Sequence, residues 1–205
     1  QNRTRIPQIY MTTHDTFTTA IALAQSRGNL WSRANPSART RVLFVCLGNI
    51  CRSPLAKAIF TDHARARGVL DRFRIDSCGT GNWHAGNLAD ARSIAVSIRR
   101  GASLSSTSHR ARQFDSMRDP ETFDLFLAMD QSNKANMIDM GAPASQVILI
   151  RSFDPSLAHH ANANEEHRLE VPDPYQGGPE GFDQMHDMLL AACDGLLDRF
   201  ESAWK

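Results

Sequence analysis

Residues 42–54 read Val42-Leu43-Phe44-Val45-Cys46-Leu47-Gly48-Asn49-Ile50-Cys51-Arg52-Ser53-Pro54, and the rest of the chain is organised around them. Val42 to Val45 form a short apolar run rich in β-formers, the pattern of a buried strand. A cysteine follows at once, then a loop of small residues, then Arg52, Ser53 and Pro54 at the head of a helical pattern. With five residues between Cys46 and Arg52, the loop can curl its N–H groups toward one point while the thiol and the guanidinium face that same point. A helix start adds unsatisfied N–H donors and the positive end of a dipole, which favour an oxyanion and a thiolate. The stretch therefore reads as a phosphate cradle made by Leu47, Gly48, Asn49, Ile50, Cys51, Arg52 and Ser53, with a nucleophile, Cys46, on its floor.

Chemistry assigns the roles. Inward amides and a helix dipole favour the anionic form of a cysteine sulfur, the form that attacks. Arg52 offers a planar fork of donors that can hold two phosphate oxygens, which lysine cannot do. Ser53 can give its hydroxyl hydrogen to the sulfur. Gly48 and Asn49 are residue types that tolerate positive φ, as an inward-folding loop requires. A zinc site would use Cys46 and Cys51 at a spacing inside the ligand range, but no second Cys or His pair sits at a matching interval. A nucleotide P-loop would need a Gly-Lys-Ser/Thr ending, and Lys57 comes too late.

The run Val45 to Pro54 resembles the signature of the low-molecular-weight protein tyrosine phosphatases, and the resemblance extends from about Arg41 to the C-terminus. It implies hydrolysis of phosphotyrosine in proteins, and of small aryl phosphates, through a phosphocysteine and with neither metal nor cofactor. Tyrosine-phosphorylated proteins are the implied partners, phosphate-like oxyanions the implied inhibitors, and a monomer the implied state. Trp83, in the loop Gly79 to Gly86, and Ile50 would line the substrate crevice, with Tyr175 opposite. His109, within Ser108-His109-Arg110-Ala111-Arg112-Gln113, would brace Asn49 and Ser53, and Asp130 would be structural, near Arg52. The family often has a second aromatic residue after the tyrosine; here Gln176 follows.

The leaving oxygen of a phosphate monoester must be protonated, and a carboxyl on a stiff loop suits that task. Val171-Pro172-Asp173-Pro174-Tyr175 places one between two prolines, so Asp173 is the expected general acid; as carboxylate it can then activate the water that hydrolyses the phosphocysteine. Cys51 lies close enough in sequence for the curled loop to bring its sulfur toward Cys46, so the two form an expected redox pair. A protein-arginine phosphatase shares this loop but carries threonine where this chain has Ile50. An arsenate reductase needs further thiols near the site, and Cys78 and Cys193 fall in a strand and in the last helix. The larger tyrosine phosphatases place histidine before the cysteine, where this chain has Val45. A phosphate-binding module without catalysis would have no need of Ser53 and Asp173 together.

At 205 residues, 41% hydrophobic and with a formal net charge of +1, the chain can bury one substantial core and has no excess of basic charge for nucleic acid. No apolar run approaches a membrane span. Four cysteines without a secreted framework, one of them a thiolate nucleophile, suit a reducing compartment, so the expected location is cytoplasmic. Residues 1–41 differ, with six arginines, ten Ser or Thr, and Asp15 as the only acid. This bias reads either as an organellar transit peptide or as a disordered extension, with a short helix from Asp15 to Gln25. The expected organisation is an extension over 1–40 and one catalytic domain over 41–205.

Within that domain, a helix with Leu55, Ala58, Ile59 and Ala66 inward ends at Gly68. A strand over Phe73–Cys78, a helix over Leu88–Arg100 and a strand over Asp124–Met129, which delivers Asp130, come next. A helix over Gln131–Met140 and a strand over Val147–Ile150 follow. A polar loop from Arg151 to Glu170 carries His159, His160 and His167 as a solvated cluster, and an amphipathic helix over Phe182–Trp204 closes the chain. Strands alternating with helices predict an α/β three-layer sandwich: a four-stranded parallel sheet flanked by helices on both faces.

Overall fold

The computed structural model describes residues 13–32, 34–157 and 167–204. Strand β1, Thr40–Cys46, is buried at almost every position and lies at the centre of the sheet. Alternation along it sends Val42, Phe44 and Cys46 into one core cluster and Leu43 and Val45 into another. Apolar side chains on both faces explain why the sequence is a continuous hydrophobic run rather than an alternating one.

Helix α2, Arg52–Ala66, returns the chain to β2, Phe73–Gly79, which pairs parallel with β1. The chain then crosses to the far side of β1 through α3, Ala91–Arg100, and the short α4, Asp119–Thr122. Strand β3, Leu125–Ala128, pairs there, and α5, Gln131–Asp139, leads to β4, Val147–Leu149. The four strands are parallel in the order β2-β1-β3-β4. The strand order reverses between β1 and β3, and a crevice opens at the C-terminal ends of strands flanking such a point. Cys46 ends β1, and Asp130 follows two residues after β3 ends.

Helix α6, Pro179–Ala203, buries Met185, Leu189, Ala192, Cys193, Leu196, Leu197 and Phe200 against the face that α2 also covers. The strand and helix limits shift by one to three residues from the sequence expectation. Ala66, expected inward, is exposed, and Ala64 takes the buried position because the helix turns its apolar stripe past residue 66. Gly68 and Gly101 stop α2 and α3 at φ of 68° and 79°, left-handed values that a side chain disfavours.

The described residues ahead of β1 pack onto this domain. Helix α1, Thr13–Ser26, buries Phe17, Ala20 and Ala24, and Phe17 meets Phe153 and Phe200 edge-on at 5.4 and 5.5 Å between centroids. Trp31 and Trp204 enclose the Arg72 guanidinium, whose carbon lies 3.6 and 4.8 Å from their ring centroids. Asn29 Nδ2 and Arg41 N donate to the buried carboxylate of Asp124 at 2.9 and 3.0 Å, tying the segment to the start of β3. His159 and His160 lie outside the described residues; His167 is exposed.

Candidate active site

The site is assembled from three loops at the C-terminal edge of the sheet. The first, Leu47–Cys51, turns directly off β1, and its conformation depends on Asn49 at φ 54°, the one non-glycine residue with positive φ among the described residues. Four residues hold Asn49 there. Its Nδ2 donates to Ser53 Oγ at 2.8 Å and Ser77 Oγ at 3.0 Å, its Oδ1 accepts from Arg112 N at 3.0 Å, and its carbonyl meets His109 Nε2 at 2.8 Å. Local strain of this kind persists only where the surroundings over-determine it. His109 thus braces the loop through the Asn49 carbonyl and, among the described contacts, makes none to Ser53. Burial depresses its basicity, and Lys57 and Arg110 add to that, so the neutral ring is the form the fold favours.

Gly48, expected to supply positive φ, does not adopt it. A Cβ there would instead fall 2.9 Å from His84 Cδ2, so a small residue is needed because an imidazole lies across it. Gly79, on β2 opposite Cys46, is the tighter constraint: a Cβ would sit 2.6 Å from the Leu47 carbonyl oxygen and 3.0 Å from Asn49 N.

At the floor, Cys46 Sγ accepts from Asn49 N at 3.2 Å and lies 3.0 Å from Ser53 Oγ. Because Ser53 Oγ already accepts from Asn49 Nδ2, its own hydrogen is free to point at the sulfur or at the Cys78 carbonyl, 3.2 Å away. No side chain caps α2 at Cys51, which leaves the first N–H groups of that helix available to an anion.

Arg52 is 2% exposed, and its charge is met from three directions. Nη1 donates to Asp130 Oδ2 at 2.6 Å and to the Val171 carbonyl at 3.1 Å, while Nη2 donates to Asp173 Oδ2 at 2.5 Å. Burial opposes the charge, but the Cys46 sulfur and the Asp173 and Asp130 carboxylates outweigh it and hold the guanidinium protonated. Asp130 does double duty, since its Oδ1 accepts from Asn133 N at 2.6 Å and caps α5.

These residues meet in a crevice of about 370 Å³ whose walls include Cys46, Arg52, Asp173 and the buried Ile50, with the exposed Trp83 and Tyr175 toward the rim. Trp83 is 62% exposed, standing away from the core as a crevice wall would. Gln176 lines the crevice where a second ring was absent from the sequence, and His84 enters it between the rings of Trp83 and Tyr175, at 6.3 and 6.1 Å. Sequence reasoning left His84 without a role; its adjacency to Trp83 was the available signal. Ser77 and Arg112, which fix Asn49, were also missed, because their function exists only once β2 and the 108–113 loop come together. Within the cradle loop the Cys51 side chain is buried, and burial, together with Asp90, pushes its thiol up to about 12.

A parallel α/β sheet here brings a thiol, a buried arginine and a carboxylate to one crevice, an arrangement suited to phosphate-ester chemistry. The pattern of the low molecular weight phosphotyrosine protein phosphatases matches residues 41–204, and the chain belongs to that family of protein-tyrosine phosphatases. It is 39% identical over 157 residues to the low molecular weight protein-tyrosine phosphatase A of Mycobacterium bovis, covering 77% of this chain and 89% of the relative. A crystal structure of a protein tyrosine phosphatase from Entamoeba histolytica superposes with a TM-score of 0.70 at 32% identity, covering 80% of this chain and 98% of that one. A Drosophila arginine phosphatase superposes with a TM-score of 0.66 at 28% identity, covering 78% of this chain and 97% of that one. Among the described residues, no helix is long and apolar enough to cross a membrane.

Proposed function

We propose that this phosphatase cleaves phosphotyrosine in proteins by two displacements at phosphorus, with no metal taking part. The observation that carries the reading is the convergence of Cys46, Arg52 and Asp173 on one crevice, with Asn49 N and Ser53 Oγ directed at the sulfur. Cys46 attacks phosphorus, and the ester oxygen leaves with the proton of Asp173. Arg52 and the cradle of Leu47, Gly48, Asn49, Ile50, Cys51 and Ser53 hold the phosphoryl oxygens, supplying the positive field a metal would otherwise provide. A phosphate dianion arriving at Arg52 Nη2 takes the place of the Asp173 carboxyl there and leaves it facing the leaving oxygen. In the second displacement the Asp173 carboxylate takes a proton from water, which attacks phosphorus and releases the thiolate, stabilised by the Ser53 hydroxyl.

Trp83 and Tyr175 are the crevice walls that receive the phenyl ring, and buried Ile50 favours an aryl group over a guanidinium. Comparing turnover of phosphotyrosine and phosphoarginine peptides separates this reading from the activity named for the Drosophila protein. Cys51 is the resolving partner for an oxidised Cys46. Residues 41–205 are the catalytic unit, a monomer working in a reducing compartment such as the cytoplasm, and the extension over 1–40 is appended to it.

The deciding experiment measures aryl phosphate turnover with chelator present, for the parent and for Cys46→Ser. Chelator-insensitive activity that vanishes in the variant is expected, together with a phosphoenzyme trapped when reactions are quenched in denaturant. Turnover in Cys46→Ser, or loss of activity on chelation that added metal restores, would overturn the mechanism.

A further inference from the structure

The loop that carries Asp173 is fastened at two points, each two residues from the acid. Upstream, Val171 N donates to the Met129 carbonyl at 2.8 Å and the Val171 carbonyl accepts from Arg52 at 3.1 Å. Downstream, the Tyr175 carbonyl accepts from Arg92 Nη1 at 3.1 Å, and the Arg92 guanidinium carbon lies 5.4 Å from the Tyr175 ring centroid and 4.6 Å from that of Phe182. Between these points the Asp173 side chain is 40% exposed, so burial does little to aim it.

Arg92 is itself fixed to the phosphate cradle. The Asp90 carboxylate caps α3 by accepting from Arg92 N at 2.8 Å, and grips the Arg92 side chain through Nε at 3.0 Å and Nη2 at 2.9 Å. The Asp90 N–H donates to the Ile50 carbonyl at 2.8 Å. A continuous chain of contacts therefore runs from the cradle at Ile50 through Asp90 and Arg92 to Tyr175. Both loops that must meet across the substrate are referenced to the head of α3.

We propose that Arg92 is a positioning residue for the general acid: by holding the Tyr175 carbonyl and ring against the Asp90-capped end of α3, it fixes the distance between the Asp173 carboxyl and the cradle. The inference rests on Asp173 acting as the acid. Arg92 touches no reacting atom; it acts through the loop. Misplacing a proton donor matters in proportion to how much the leaving group needs the proton, and a phenol with a pKa of about 10 needs it most. A merely structural arginine would slow all substrates alike.

The test measures kcat/KM on aryl phosphates whose leaving phenols span a wide range of acidity, from phenyl phosphate to dinitrophenyl phosphate. The parent, Arg92→Met, Arg92→Lys and Asp173→Ala are compared, with melting temperatures as the check on folding. Asp173→Ala should lose most on phenyl phosphate and least on the dinitrophenyl ester. Arg92→Met should show the same slope in smaller measure, about tenfold on phenyl phosphate and under about twofold on the dinitrophenyl ester. Arg92→Lys should recover only part, since one ammonium cannot keep both Asp90 and the Tyr175 carbonyl. An Arg92→Met loss that is absent or equal across the series, while Asp173→Ala keeps its slope, overturns the role of Arg92 alone. A flat Asp173→Ala series overturns the general-acid assignment and this inference with it.

Discussion

Arg52 Nη2 and Asp173 Oδ2 lie 2.5 Å apart, so the group that would grip the phosphoryl oxygens and the group that would protonate the leaving oxygen are joined directly. An incoming phosphoryl group must compete with the carboxylate for the same nitrogen. Asp130 and the Val171 carbonyl hold the other nitrogen, Nη1, and keep the guanidinium plane in place while Nη2 changes partner.

This competition predicts that a phosphate-like oxyanion binds more tightly when the carboxylate is removed. Calorimetric titration of Asp173→Ala with vanadate or inorganic phosphate should give a several-fold lower Kd than the parent, because the anion no longer displaces Asp173 from Arg52 and meets no facing negative charge. An unchanged or higher Kd would contradict the competition.

Ser53→Ala removes the hydroxyl 3.0 Å from Cys46 Sγ and one of the two acceptors of Asn49 Nδ2. Turnover should fall about tenfold to a hundredfold, the range expected for loss of one aimed donor. Because the hydroxyl also stabilises the departing thiolate, phosphoenzyme should accumulate in rapid-quench experiments. A fall in kcat without accumulation would confine its role to the first displacement.

The four cysteines are all free and buried, yet their environments differ. Burial pushes Cys51 to about 12 and raises Cys78 and Cys193 as well, whereas Cys46 lies on the crevice floor with Asn49 N and Ser53 Oγ at its sulfur. Brief iodoacetamide treatment near neutral pH should therefore label Cys46 first and abolish activity, with phosphate protecting. Peptide mapping that found Cys51, Cys78 or Cys193 labelled ahead of Cys46 would refute this ordering.

His109 gives the fold a pH dependence of definite sign. Its folded-state pKa is lowered from 6.5, with burial the main cause and Lys57 and Arg110 adding to it against Asp76 and the Asn49 carbonyl. Below that ordinary value the unfolded chain takes up a proton that the folded chain refuses, so stability falls as pH drops from about 6.5 toward the lower folded value, then levels off. In His109→Gln, whose amide can still donate to Asn49, the urea midpoint should fall less over this window than in the parent. Parallel curves would show that other groups carry the acid sensitivity.

The α1 contacts predict a stability effect without a catalytic one. Phe17→Ala opens a void against Phe153 and Phe200 and should cost about 3 kcal/mol. The kcat of the folded fraction on an aryl phosphate should stay within about twofold of the parent, since the helix packs away from the crevice. An unchanged unfolding midpoint would show that α1 is only loosely attached.

Much of this was legible in the chain itself. The apolar run Val42–Val45 read as a buried strand, and the spacing from Cys46 to Arg52 placed a sulfur and a guanidinium at one cradle, because both features are local and set by backbone geometry. Asn49 as the left-handed residue was legible for the same reason, while Gly48 was not, since its constraint is the ring of His84 from another loop. Relations across the molecule were decided only by tertiary structure. The strand order β2-β1-β3-β4 brings the end of β3 beside that of β1, so Asp130 and Asp173 reach Arg52 across 78 and 121 residues of chain. The docking of α1, the bracing of Asn49 by Ser77 and Arg112, and the link from Ile50 through Arg92 to Tyr175 are of the same kind. Local spacing fixes which groups can act, but the energy of contacts between distant segments exists only after the sheet has closed, and no periodicity in the sequence encodes it.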